Sequence, residues 1–133
     1  MKNISKLTFI QACKLEGLDS KKVEDGLNKS FTFFSKKDKA AMIAHTMCVI
    51  MVKAANRIAN GGKEWIADFT NDEYKYEARW WHLGGSSGFR YDDCDTRGSG
   101  SGVGSRLCFK TYNAMVDLTS NKVFVKLWNQ YAL

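Results

Sequence analysis

SKKDKAAMIAHTMCVIMVKAANRIANGG, residues 35–62, is the stretch on which the fold turns, and it reads as one long helix. Ser35 and Asp38 form a capping-box-like start, with a hydroxyl for a free backbone N–H and a carboxylate near the positive helix end. Met42, Ile43, Met47, Ile50, Met51, Ala54 and Ile58 continue it, and Gly61-Gly62 ends it where positive φ costs little. Apolar residues cover most of the circumference, so the helix should be wrapped on several sides and form the centre of the core. Its apolar run lies between Lys39 and Lys53 and contains His45 and Thr46, well short of the roughly 20 residues a bilayer demands.

Upstream, Leu7, Ile10, Ala12, Cys13 and Leu15 recur at helical spacing and predict a short amphipathic helix over 8–16, stopped by Gly17. Residues 19–37 are charged and contain Gly26 and the cluster Phe31, Phe33, Phe34. They are read as a connecting segment without regular structure, pinned to the core by its phenylalanines.

Downstream the composition changes: nine of the eleven glycines and three of the four tryptophans fall between 61 and 104. Strand-like runs occupy 64–69, 73–83, 88–92 and 105–110. In the second, Tyr74, Tyr76, Ala78 and Trp80 alternate with Lys75, Glu77, Arg79 and Trp81, the period of a sheet with one buried face. A small antiparallel meander is expected, turning at Gly84-Gly85 and across 97–104. Thr111 caps a last helix to about Tyr131, although residues 123–128 would also suit a strand. The fold class is therefore α+β, a single domain over 1–133 with a helical half (1–62), a β-rich half (63–112) and a terminal helix (113–133) packed on the core.

At 133 residues with 44% hydrophobic and 26% charged residues, the chain has ordinary globular values. No secretory signal is read at Met1–Leu7, and four cysteines at 13, 48, 94 and 108, without a C-x-x-C pair, are expected to be reduced and to bind no zinc. Charge is uneven: residues 1–63 hold 12 Lys/Arg against 5 Asp/Glu, net +7, whereas 64–112 hold 6 against 8, net −2. The basic helical half is a candidate surface for nucleic acid.

Catalytic patterns fail on spacing or context. Gly84-Gly-Ser-Ser-Gly88 matches G-x-S-x-G, but the chain lacks the large α/β sheet of a nucleophile elbow. Asp92, Asp93 and Asp95 suggest divalent metal, yet Arg97 and Gly104 break the calcium-loop pattern. His45 reads as a core residue, and His82 has no evident orienting carboxylate. The chain is thus read as a non-enzyme, with no cofactor and no metal. The conspicuous run is Arg97-Gly-Ser-Gly-Ser-Gly-Val-Gly-Ser-Arg106, whose glycines expose amides able to surround a phosphate, between two guanidinium groups. A plain hairpin loop is the competing reading. The candidate ligand site is Arg97, Gly102, Gly104, Ser105 and Arg106 around an anion, with Trp80, Trp81 and Tyr91, and Arg90 beside them, stacking on a planar group.

Several segments together carry a likeness: Leu7-Thr-Phe-Ile-Gln-Ala-Cys-Lys-Leu-Glu-Gly-Leu-Asp19, the long helix to Asn56, Glu73-Tyr-Lys-Tyr76 followed by Trp80, Gly88-Phe89, and Val103-Gly-Ser-Arg-Leu-Cys-Phe-Lys110. The chain resembles a group of small phage and prophage proteins of Bacteroidetes-type bacteria, although 60–69 lacks that group's W-x-P-D-W form. The resemblance implies a mobile-element setting and transfers no catalytic residue. In that setting the expected function is a non-catalytic accessory protein binding a nucleotide-like ligand, countering host defence by sequestering a nucleotide signal. The alternatives are a structural or assembly protein of the particle or replication complex, with a host or phage protein as partner, and a DNA-binding protein. The expected location is the host bacterial cytoplasm, or the virion; no membrane partner is called, and a homo-oligomer is compatible with the sequence.

Overall fold

The computed structural model describes residues 3–82 and 88–133. The expected Gly84-Gly85 turn, and all of the G-x-S-x-G match except Gly88, lie outside them. Five helices and one hairpin follow in order: α1 Phe9–Leu15, α2 Ser20–Asn28, α3 Lys36–Ala59, β1 Lys75–His82, β2 Phe89–Arg97, α4 Tyr112–Thr119 and α5 Lys122–Ala132. The class is α+β, as the alternation and the long helix predict.

Each helix begins where a side chain accepts a free N–H. Thr8 and Gln11 close a reciprocal capping box on α1 (3.2 and 3.0 Å), Asp19 caps α2, and Ser35 Oγ accepts from the Asp38 amide at 3.2 Å on α3. Thr111 caps α4, and Asn121 accepts from the Val123 and Phe124 amides on α5. The 24 residues of α3 span about 36 Å and form the central element. Ala44, Cys48, Met51, Val52, Ala54 and Ala55 are buried between α1 and α5, together with Leu7, Phe109, Met115, Leu118 and Phe124.

Five expectations need correction. Residues 19–37 are not a bare connection: Asp19 nucleates α2, whose Val23 and Leu27 are only half-buried, so the apolar signal was weak. The phenylalanines do not anchor that segment, because Phe33 is 82% exposed and Phe34 is also exposed. The run 64–69 forms no strand. At its end and just after it, Asp68 accepts from the Thr70 amide (2.9 Å) and Asn71 from the Glu73 amide (3.0 Å), side-chain turns that compete with a ladder. The run 105–110 becomes a 3₁₀ turn at Ser105–Leu107, and only Phe109 bridges to the sheet, exchanging 3.0 and 2.8 Å bonds with Tyr76. Finally, the terminal helix is two helices. Asn121 interrupts it because its amide nitrogen donates to the carbonyls of Ile4 (2.9 Å) and Leu7 (2.8 Å) while its oxygen caps α5.

The sheet is the antiparallel β1–β2 pair, running from Lys75↔Arg97 to His82↔Phe89. The register shifts between Arg79↔Asp93 and Trp80↔Tyr91, leaving Asp92 as the extra residue of a bulge. Tyr76, Ala78, Trp80, Tyr91 and Cys94 face the core, and Lys75, Glu77, Arg79 and Trp81 face the other way. Among the described residues, no helix is long and apolar enough to cross a membrane.

Candidate functional site

The glycine-serine loop after β2 does enclose an anion, and the anion belongs to the protein. The Glu77 carboxylate projects from the outer face of β1 and is 3% exposed. It accepts from the Gly102 amide at 2.9 and 3.0 Å, the Val103 amide at 3.2 Å, Ser101 Oγ at 2.9 Å and Arg97 Nε at 3.0 Å. These amides, hydroxyl and guanidinium are the donor set expected of an anion nest. A Cβ on Gly102 would lie 3.7 Å from Arg97 Nη2 and 3.8 Å from Glu77 Oε1, ordinary contact, so the glycine is not required there on packing grounds. Two residues earlier on β1, Lys75 is 1% exposed, and its ammonium lies within 3.2 Å of Asn71 O, Asn71 Oδ1, Glu73 O and Gly98 O. The two buried charges of β1 thus fasten both ends of the 98–104 segment.

Arg97 and Gly104 belong to this loop cluster, Gly104 donating its amide to Ser101 Oγ at 2.6 Å, but the other predicted residues do not gather around it. Arg97 is engaged with Glu77 and with Asp95 at 3.7 Å. Arg106 lies on the 3₁₀ turn, beside Lys53, Asn56, Trp65 and Ile66 in a crevice against α3. Ser105 lines that same crevice, and Gly104 starts the turn with φ +78°. Trp80 and Trp81, adjacent in sequence, point to opposite faces: Trp80 stacks on Trp128 of α5 with centroids 4.8 Å apart, whereas Trp81 is 63% exposed beside its cross-strand partner Arg90.

Arg90 and Tyr91 do meet in a concave place. They line one wall of an open groove whose other wall is the α4–α5 corner, with Thr119, Ser120, Lys122, Val125 and Lys126. Arg90, Lys122 and Lys126 are exposed, and among the described residues none has a carboxylate within ion-pair distance. Burial pushes the Tyr91 phenol up to about 12, with Cys94, Tyr112 and Asp93 adding to the effect, so it stays neutral. The hairpin is held against α5 by Asn129, whose Oδ1 accepts from the Phe89 amide at 2.6 Å and whose amide nitrogen donates to the Phe89 carbonyl at 3.3 Å. Gly88 permits this approach: its φ is +72°, and a Cβ there would sit 2.6 Å from Asn129 Oδ1.

No protein-family model, curated protein or solved structure matches the chain.

Of the histidines, His45 packs edge-on against Tyr131 and His82 edge-on against Phe89. Among the described residues, no group of three or more His, Cys, Asp or Glu side chains could hold a metal ion. Cys13, Cys48 and Cys108 are buried free thiols, and burial pushes Cys48 up to about 12 and Cys108 up to about 11. Sequence reasoning missed Lys122 and Lys126 as groove residues, although they stand one helical turn apart and share a face of α5. It also missed Glu77, for which no local signal exists: an acidic residue on the polar side of an alternating strand looks solvated until the loop closes over it.

Proposed function

We propose that this chain is a non-catalytic binding protein for a phosphate-bearing ligand, received in the groove between β2 and the α4–α5 corner. The observation that carries this reading is the trio Arg90, Lys122 and Lys126. Three cations on one concave surface with no internal carboxylate leave positive potential for a ligand to neutralise. Arg90 supplies a planar fork for phosphate oxygens, Lys122 and Lys126 supply point charges, and the Tyr91 ring offers an apolar wall for a planar group. Arg90 and Tyr91 belonged to the site expected from sequence, and the groove replaces the glycine loop as its anion-binding part. A nucleotide or nucleotide signal has this chemistry, and sequestering one is the role in keeping with the likeness to phage and prophage proteins.

A thermal-shift series with cyclic and linear nucleotides and with inorganic phosphate tests the proposal. A ligand at about 100 times its dissociation constant should raise the melting temperature by roughly 8 °C. The double variant Lys122→Glu, Lys126→Glu should lose that shift while keeping its own fold, because both side chains are exposed. Stabilisation by none of these compounds, or one that survives the double variant, rejects the groove as the site.

A further inference from the structure

The connection between α2 and α3 displays what a folded chain normally hides. Phe31, Phe33 and Phe34 cluster there, with Phe33 and Phe34 centroids 4.5 Å apart and Phe31 and Phe34 6.0 Å apart. Phe34 is caught between its two neighbours, while Phe33 stands clear, with 82% of its surface exposed. Phe31 is held at φ +57°, the left-handed region that an aromatic residue avoids, and it is the one described non-glycine residue there. The same segment, residues 29–39, holds four lysines against one aspartate, a net of +3. Lys39 donates to the Asn28 carbonyl and ties the loop to the end of α2. Lys29, Lys36 and Lys37 are exposed, with no carboxylate within ion-pair distance among the described residues.

We infer that this connection is a contact surface for single-stranded nucleic acid, with the Phe33 ring as a stacking platform for one base and Lys29, Lys36 and Lys37 as partners for the adjoining phosphates. A single aromatic face standing free between cations is the arrangement by which unpaired strands are held without sequence preference. A duplex keeps its bases stacked on one another and offers the ring nothing. A lipid surface would take up several apolar side chains together, whereas here Phe33 is 82% exposed against 38% for Phe34, and polar Ser30, Thr32 and Ser35 border the rings. The inference is independent of the groove, which lies between β2 and the α4–α5 corner.

Fluorescence anisotropy with a labelled oligothymidine of about a dozen nucleotides tests it on the full chain. Phe33→Ala should weaken binding about tenfold and Phe33→Trp should restore it, with the new indole quenched on binding. With three phosphates neutralised, raising salt from about 50 to about 200 mM should weaken binding roughly twentyfold. Phe33 packs little, so circular dichroism of the Ala variant should match the parent and affinity changes can be read directly. Absence of binding, or affinity unchanged by Phe33→Ala, overturns the inference. So does oligonucleotide binding that Lys122→Glu, Lys126→Glu abolishes while Phe33→Ala spares, which would assign the strand to the groove. Phe33-dependent capture by vesicles of anionic phospholipid, or Phe33-dependent self-association, without oligonucleotide binding, also overturns it.

Discussion

Glu77 accepts hydrogen bonds from four groups spread over seven residues of chain, and it does so almost entirely out of water. Removing it leaves two backbone amides, a hydroxyl and a guanidinium without their acceptor, so the cost exceeds that of one ordinary hydrogen bond. Glu77→Ala should destabilise the fold by about 3 kcal/mol, measured by urea unfolding, and Glu77→Gln by less because one acceptor oxygen survives. Arg97→Ala should cost under about 1 kcal/mol, since that side chain is 42% exposed and solvent screens its pair. Equal losses for Glu77→Ala and Arg97→Ala would show that the ion pair rather than the amide nest holds the loop. At this scale sequence informed only partly. The glycine spacing was read as amides around an external phosphate, whereas the amides of Gly102 and Val103 bind the protein's own carboxylate, from a residue 25 positions away. Trp80 and Trp81 were legible as an inside–outside pair, and the alternation did not say which was which.

At the scale of elements, carboxamides do the joining. Asn56 of α3 donates to the Cys108 carbonyl and accepts from the Lys110 amide, both at 2.9 Å. Asn121 ties Ile4 and Leu7 to α5, and Asn129 ties the hairpin to α5. Each behaves as a surrogate peptide group between segments that share no ladder, and each is buried or nearly so. Asn56→Ala should cost about 2 kcal/mol, and hydrogen exchange at the Lys110 amide should accelerate toward that of a surface amide. Unchanged Lys110 protection would show that the strand-like segment is held by Phe109 alone. Elements with a cap, a helical period and a stop, such as α3, were legible because all three signals are local. The α2 helix was not, since its nine residues bury no side chain and include Gly26. The break at Asn121 was not either, because it answers to carbonyls more than a hundred residues away.

For the whole molecule, the buried phenol and thiols set a limit at alkaline pH. Cys48 and Cys108 sit at about 12 and about 11 in the folded chain, against 9.0 when unfolded, and Tyr91 at about 12 against 10.0. In each case burial keeps the group protonated. Between the unfolded and folded values the native state holds more protons than the unfolded state, so unfolding free energy falls as pH rises. Stability should be flat with respect to these groups below about pH 9 and decline steadily through pH 9–12, measured as the urea midpoint. Cys48→Ala should flatten the decline, and a midpoint independent of pH across that window would contradict the burial of these groups. The division of charge along the chain was legible at this scale, as was the class of fold. The surface that charge serves was not, because the phenylalanines beside the lysines look like core residues in a sequence.

The loop closed on Glu77 behaves as a receptor already holding a tethered ligand. Joined through the same polypeptide, that carboxylate meets the Gly102 and Val103 amides at the high effective concentration of an intramolecular partner, and a free anion must outcompete it. The glycine run that looks most like a vacant seat in the sequence is therefore the seat least open to visitors.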